Sequence, residues 1–264
     1  MAQEIEGFDP SVMTANMEAL AANPYPGRGI VLGVSEGGEQ AVQAYWVMGR
    51  SENSRNRVLV ENEDGSVRTE AFDPSKVLDP SLIIYNAMRT VDQFHSTHVV
   101  SNGDQTDTLV DEINRRHARL SLSERFLDAL IQREFEPDAP NFTPRITATT
   151  FTPLQPGFSD GRYNYSLIKR NPTTGGAEHT FGGGSLGGIP EGTGICFHTY
   201  NGDGDPLPAF EGSPFAVPVQ ETAEEIAGTL WESLDAQNRV AIVAKTINLT
   251  TGQIAHHIIN QLAE

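Results

Sequence analysis

Apolar runs in this chain are short, and almost every one stops at a turn-forming residue. "GIVLGV" (29–34), "AVQAYWVMG" (41–49), "RVLV" (57–60), "SLIIYN" (81–86) and "THVVSNG" (97–103) are rich in β-branched and aromatic side chains and are bounded by Gly, Asn, Asp or Pro. Runs of that kind between turn signals read as strands. "ENEDGS" (61–66) supplies the Asp-Gly turn of a hairpin. "RITATTF" (145–151), "RYNYSLIKR" (162–170) and "TGICFHTY" (193–200) continue the pattern, and "RVAIVAKTINL" (239–249) reads as a buried strand. Strands joined by such tight turns must pair antiparallel, because a parallel partner needs a long crossover.

Helical periodicity interrupts this pattern at a few places. In "QTDTLVDEINRRHARL" (105–120), Leu109, Val110, Ile113 and His117 fall on one face. In "LSERFLDALIQREF" (122–135), Phe126, Leu127, Leu130 and Ile131 do the same, with Ser123 as the expected N-cap. Thr222 to Glu225 form a capping box that leads into Ile226, Leu230, Trp231 and Leu234. The tail, "GQIAHHIINQLAE" (252–264), reads as a short helix. Hairpins, helices, hairpins and a final helix describe an α+β chain whose helices pack outside antiparallel sheets, organised as a single domain over residues 1–264.

Charge narrows the partners. With 35 acidic and 18 basic side chains the formal net charge is −17, which argues against nucleic acid, since such binding rests on Lys and Arg neutralising phosphates. A single small phosphorylated ligand needs only one local cationic pocket. Cys196 is the only cysteine, so no intrachain disulfide forms and a reducing, cytoplasmic setting is expected. The first 24 residues lack the apolar core of a signal peptide, and no run is long enough for a membrane helix.

Against that acidic background, "GRSENSRNR" (49–57) crowds Arg50, Arg55 and Arg57 together with Asn53 and Asn56. Guanidinium forks beside carboxamides suit a phosphate and a planar heterocycle; a solvated turn between strands is the alternative. "IIYNAMR" (83–89) ends an apolar run in Tyr85 and Asn86. "VVSNGDQTDT" (99–108) ends another in Ser101, Asn102 and Gly103, before a helix whose first turn holds Asp104, Thr106 and Asp107. Such strand-to-helix junctions present free N–H groups to an anion or polar ligand, or simply cap turns. "REFEPDAPNFTPRITA" (133–148) brings Glu136 and Asp138 near Thr143 and Arg145, either as a proton-transfer group with its partner or as solvated charges.

Other signals argue for less. Thr173 to Gly194 holds nine glycines in 22 residues. Its "GGGSLG" fits G-x-G-x-x-G but opens no helix, so it reads as a mobile loop that forms a lid or subunit contact. His95 and His98 are three apart and His256 and His257 adjacent, yet no ligand cluster surrounds them, and Cys196 sits in an apolar strand. No metal or cofactor is expected.

Taken in order, "RGIVLGV", "YWVMGRSENSR", "IIYNAMR", "VVSNGDQTDT", "FTPRITA" and, more loosely, "HTYNGDGDP" resemble the archaeal-type IMP cyclohydrolase family over roughly residues 28–205. The resemblance implies a four-layer αββα sandwich like that of N-terminal nucleophile hydrolases, here without the terminal nucleophile, since the chain starts Met1, Ala2, Gln3. It makes residues 1–27 an N-terminal extension and 173–194 a glycine-rich loop insertion. The implied reaction closes 5-formamidoimidazole-4-carboxamide ribonucleotide to inosine 5′-monophosphate (IMP) without metal or cofactor. Carried over motif by motif, Arg55, Tyr85 and Glu136 become catalytic, with Asp138 competing for the role of Glu136. Arg50, Asn53, Arg57, Asn86, Asn102, Gly103, Asp138, Thr143 and Arg145 become contacts to a purine mononucleotide, and a homo-oligomer is expected. A nucleotide-binding sensor of the same fold without turnover, or a hydrolase of another small amide, would carry the same residues; a turnover assay separates them.

Overall fold

The computed structural model describes residues 8–77, 83–91, 96–115, 120–152 and 161–262. Thirteen strands pair, every neighbour antiparallel, into two sheets. The first sheet runs β11 (Phe215–Pro218), β10 (Thr193–His198), β1 (Gly29–Val34), β2 (Gln40–Met48), β12 (Arg239–Asn248), β13 (Ile254–Asn260). The second runs β3 (Arg57–Glu61), β4 (Val67–Ala71), β5 (Asn86–Val91), β6 (Thr97–Ser101), β7 (Arg145–Phe151), β8 (Arg162–Arg170), β9 (Ala177–Ser185). Five α-helices are described: α1 (Pro10–Ala22), α2 (Glu52–Arg55), α3 (Gln105–Asn114), α4 (Leu122–Leu130) and α5 (Ala223–Ser233).

Alternation along the strands sorts side chains into three apolar layers. Ile30, Leu32, Tyr45 and Val243 from the first sheet meet Met88, Val100, Ile146 and Tyr165 from the second in a shared core. Val31, Trp46 and Ile242 point the other way, onto Leu20 of α1 and Ile226 and Leu230 of α5. On the far side, Val99 and Ile168 pack against Leu109 of α3 and Phe126 and Leu130 of α4. The order is therefore helices, sheet, sheet, helices. This explains why "GIVLGV" is apolar throughout: a strand covered on both faces has no solvent side. Burying one such side chain is worth ~1.5–3 kcal/mol. Asn260 straps the two sheets at one edge, its carboxamide accepting from the Leu59 N–H (2.8 Å) and donating to the Leu59 carbonyl (3.0 Å). Among the described residues no helix is long and apolar enough to cross a membrane.

Several expectations change. The tail is strand β13, not a helix; it pairs with β12 along its length, with Ile254 and Ile258 packed inward. The glycine-rich segment is not a loop over residues 177–185, because β9 pairs with β8 in register from Ala177 to Ser185. Its glycines answer to tyrosines on β8: a Cβ at Gly182 would lie 2.2 Å from the Tyr165 ring, a close approach only glycine allows. "SLIIYN" is not a strand in its described part; the strand starts at Asn86, where it was expected to end. Ile83 and Tyr85 are tied instead to Thr69, whose hydroxyl donates to the Ile83 carbonyl (2.5 Å) and accepts from the Tyr85 N–H (3.1 Å). Residues 81, 82, His95 and His117 lie outside the described residues.

Helix α4 is capped by Ser121, not Ser123, through a reciprocal bond with Glu124. Only Phe126 and Leu130 turn inward, while Leu127 and Ile131 are exposed. The capping box at Thr222 starts α5 as expected. Helix α1 had no sequence expectation. Asp9 caps it, Pro10 begins it, and only Met13 and Leu20 are buried, too few to leave an amphipathic stripe.

Candidate active site

Where β2 leaves the core, a cleft of about 290 Å³ opens between the sheets, near the lower bound of the roughly 300–1,000 Å³ usual for small-molecule sites. Its lining includes a largely buried ion pair, Arg28 and Glu136. Arg28 enters β1, and its guanidinium meets the Glu136 carboxylate as a two-pronged fork at 3.0 and 2.9 Å. A third bond runs from Arg28 to the Asn102 carbonyl (2.7 Å). Burial, the largest single influence, would lower the pKa of Arg28, but the Glu136 charge, the Tyr85 and Tyr45 hydroxyls and the Glu136 hydrogen bond together outweigh it and hold the group well above its ordinary value. A charge this deep is tolerated because it is paired and makes three hydrogen bonds.

Behind this pair the Tyr45 and Tyr85 hydroxyls lie 2.6 Å apart. Burial, and then Tyr85, push the pKa of Tyr45 well up, while Arg28 pulls it down, so the tyrosine pair and the guanidinium share one field. Tyr45 sits on the inner face of β2 and Tyr85 on the Thr69-bound segment opposite.

The loop carrying Glu136 is closed by its own side chains. The Glu136 N–H donates to the Thr143 carbonyl (2.9 Å), the Asp138 carboxylate accepts from the Thr143 N–H (2.7 Å) and the Thr143 hydroxyl, and that hydroxyl also bonds Tyr200. Asn102 braces the loop from below: its carboxamide donates to the Pro144 carbonyl (2.8 Å) and accepts from the Ile146 N–H (2.9 Å). Gly103 lies beneath Glu136, where a Cβ would come within 3.3 Å of a carboxylate oxygen.

Across the cleft stands the arginine-rich stretch. The α2 turn splits it: Arg50, Ser51, Asn53, Ser54 and Arg57 line the cleft, and Arg55 does not. Arg57 is buried, held by the Ser54 carbonyl (2.9 Å). Arg50 pairs with Asp203 and rests over the Tyr25 ring at 5.2 Å. Burial raises the pKa of Tyr25, and Arg57, Arg28 and Arg50 oppose it, which places three guanidinium fields around one ring. The carboxamide oxygen of Asn53 is buried without a hydrogen-bond partner. This is a vacancy a donor group on a ligand would fill.

Of the residues singled out from sequence, Arg50, Asn53, Arg57, Glu136, Asp138 and Thr143 line the cleft, and Tyr85, Asn102 and Gly103 lie directly behind its wall. Three do not reach it. Arg55 is exposed, donating to the Gly49 carbonyl (3.0 Å) and Asn238 (3.1 Å). Asn86 points to the outer face, where it binds Asp107 at 2.9 Å. Arg145 pins Asp104 and Gln105, both at 2.7 Å. Arg28, Tyr25, Tyr45 and Tyr200 were not among the sequence candidates. Arg28 had one signal: it is the first basic residue of the chain, set directly before an apolar strand. Among the described residues no three His, Cys, Asp or Glu come together as a metal site. Cys196 is a core residue whose thiol pKa is raised by burial.

A family profile described as IMP cyclohydrolase-like protein matches residues 25–252. No curated protein matches the chain.

Proposed function

The chain belongs to the archaeal-type IMP cyclohydrolase-like family, and from that premise we propose that its cleft closes 5-formamidoimidazole-4-carboxamide ribonucleotide to IMP and water. The single observation that carries the reading is the forked Arg28–Glu136 pair, buried in the cleft wall beside the Tyr45–Tyr85 hydroxyl pair. The reaction asks for that combination. The carboxamide nitrogen attacks the formyl carbon, a proton moves from that nitrogen to the formyl oxygen, and the resulting hydroxyl then leaves as water with the proton of the former formamide nitrogen. Both steps place charge or a proton on one oxygen, and both require the two reacting groups held in near-attack geometry.

In this reading Arg28 stabilises the formyl oxygen and the Tyr85 hydroxyl, coupled to Tyr45, delivers and recovers its proton. Glu136 takes the carboxamide proton, with Arg28 as its standing partner. Asp138 serves instead as the brace of the Thr143 loop. Arg57 and Arg50 hold the phosphate, and the unpartnered Asn53 oxygen takes a donor from the ligand. Catalytic arginine thus moves from Arg55 to Arg28. The layer order supports an N-terminal nucleophile hydrolase-like αββα sandwich.

Ring closure followed by absorbance on the purified protein tests the assignment. Turnover in the wild type that is lost in Arg28→Met is the expected result. Tight IMP binding with no ring closure in the wild type would favour the nucleotide-binding sensor instead.

A further inference from the structure

We propose that a pocket between α1 and β10 is a second ligand site, one that takes an uncharged planar heterocycle of nucleobase size and whose occupancy is felt in the cleft. The pocket measures about 530 Å³ and is walled by Asn16, Asn23, Asn201, His198 and Phe215, a size suited to a small molecule. One whole wall is α1, Pro10–Ala22, which precedes the family-matched residues 25–252. His198, Asn201 and Phe215 lie within the matched residues, so the pocket joins α1 to the family-matched part of the chain and is distinct from the cleft.

Its chemistry selects the ligand. None of the residues lining it is charged, although the chain as a whole carries −17, so neither a phosphate nor a cation finds a counter-charge there. His198 is only 5% exposed and its Nδ1 has no hydrogen-bond partner. Burial pulls its pKa down to about 4 against an opposing bond to the Tyr200 backbone, so the ring is neutral at physiological pH. A buried polar atom left unpaired costs ~1–3 kcal/mol, which a hydrogen-bonding ligand edge would recover. An aromatic wall is present too: the Phe215 ring packs edge-on against the His198 ring, with centroids 5.8 Å apart. The Asn16 carboxamide donates to the Ala216 carbonyl (2.8 Å), which keeps its oxygen for the ligand. A lipid tail would satisfy the aromatic wall and leave imidazole and amides unpaired.

The pocket also shares a wall with the cleft. Asn23 donates to the Tyr200 carbonyl (3.2 Å) and accepts from the Tyr25 N–H (3.0 Å). Tyr25 and Tyr200, stacked at 6.0 Å, both line the cleft. A ligand bearing on Asn23 acts on both tyrosines, and linkage makes that coupling reciprocal.

Calorimetric titration of adenine into the full chain, with and without saturating IMP, tests this. We expect one adenine per chain in both cases, with IMP affinity shifted at least twofold by adenine. Ala19→Trp fills the pocket from the exposed face of α1 and should weaken adenine at least tenfold while IMP binding persists. His198→Phe, which removes the unpaired nitrogen, should weaken it as well, and Ala19→Trp decides the matter if that variant fails to fold. Adenine displaced by IMP, or bound equally well by Ala19→Trp, would overturn the site. Unchanged IMP affinity would overturn the coupling. Failure of IMP to bind at all would count against the cleft assignment and leave the comparison of wild type with Ala19→Trp intact.

Discussion

Arg28 and Lys245 lie between the sheets, toward opposite ends of the same strands, and they are kept in opposite ways. Along β2 (Gln40–Met48) Gln43 precedes Met48, and along β6 (Thr97–Ser101) His98 precedes Ser101; Arg28 lies toward the later end of each and Lys245 toward the earlier. Arg28 is gripped by the Glu136 fork. Among the described residues Lys245, fully buried, has no carboxylate within ion-pair distance. It donates to the Thr90 hydroxyl (3.0 Å), beside a Gln43 oxygen that has no partner among the described residues. Glu61, whose charge acts on Lys245, is bonded to His256 (2.9 Å). Burial pushes the Lys245 pKa down to about 7, with Glu61 opposing, whereas Arg28 is held well above its ordinary value. The contrast shows what fixes a charge in a core: not the burial, which they share, but a bidentate anion within reach. Only the cation with that anion is suited to steady charge-stabilising work.

Breaking the paired end should give the largest effect. Arg28→Met leaves Glu136 buried without its partner, which costs ~3–5 kcal/mol, and removes the oxyanion donor, which costs on the order of a hundredfold or more in turnover. Arg28→Met with Glu136→Leu removes both charges. Its thermal midpoint should recover most of the loss while turnover stays abolished. A double variant as unstable as the single one would show that the fork is not what makes the position costly.

At the unpaired end the signature is in pH rather than in turnover. The unfolded Lys245 amine titrates near 10.5 and the folded one near 7, so between those values the unfolded chain binds the extra proton and stability rises with pH. The slope is up to ~1.4 kcal/mol per pH unit. Below about pH 7 both states are protonated and the slope vanishes. His256, the cross-strand neighbour, has a pKa lowered from 6.5 by burial, then by Lys245, and so titrates beneath this window. Lys245→Met should abolish the rise in thermal midpoint between pH 7 and 9 and raise the midpoint at pH 7, less ~1 kcal/mol for the lost hydrogen bond to the Thr90 hydroxyl, which keeps its bond to His98 (3.2 Å). An unchanged pH profile would mean that the amine keeps its proton in the folded chain.

Neither pair was legible in the sequence, for a reason that separates local from distant information. Strands such as "GIVLGV" and "RYNYSLIKR" could be bounded almost to the residue, because a run covered on both faces, or alternating, carries its own pattern. β13 misled because Ile254, Ile258 and Ile259 fit a helical spacing as well as a strand. The glycines of β9 are explained by the tyrosine rings of β8, which only register reveals. In the site, Arg50, Asn53 and Arg57 could be found because one stretch holds them. Arg28 and Glu136 are 108 positions apart and Tyr45 and Tyr85 40 apart, so nothing local announces either partner.

The smallest effect is expected where sequence pointed most directly. Arg55 and Arg57 sit two residues apart in "GRSENSRNR", and by composition alone neither outranks the other. The α2 turn separates them: Arg57 begins β3 and is buried along the cleft, while Arg55 lies on the outer side against the neutral Gly49 carbonyl and Asn238. If a cation matters here through its place in the cleft, Arg57→Leu should raise KM about tenfold, the loss of roughly one hydrogen-bonded charge contact at ~1.4 kcal/mol, with kcat less affected. Arg55→Leu should leave both constants within about twofold and shift stability by no more than ~0.5 kcal/mol, as exposed substitutions usually do. A hundredfold fall in kcat for Arg55→Leu would return the catalytic role to Arg55, and would require the α2 turn to rearrange when nucleotide binds. An equal effect of both substitutions would mean that the stretch acts as diffuse positive charge, a case in which added salt should weaken wild-type binding as strongly as either substitution does.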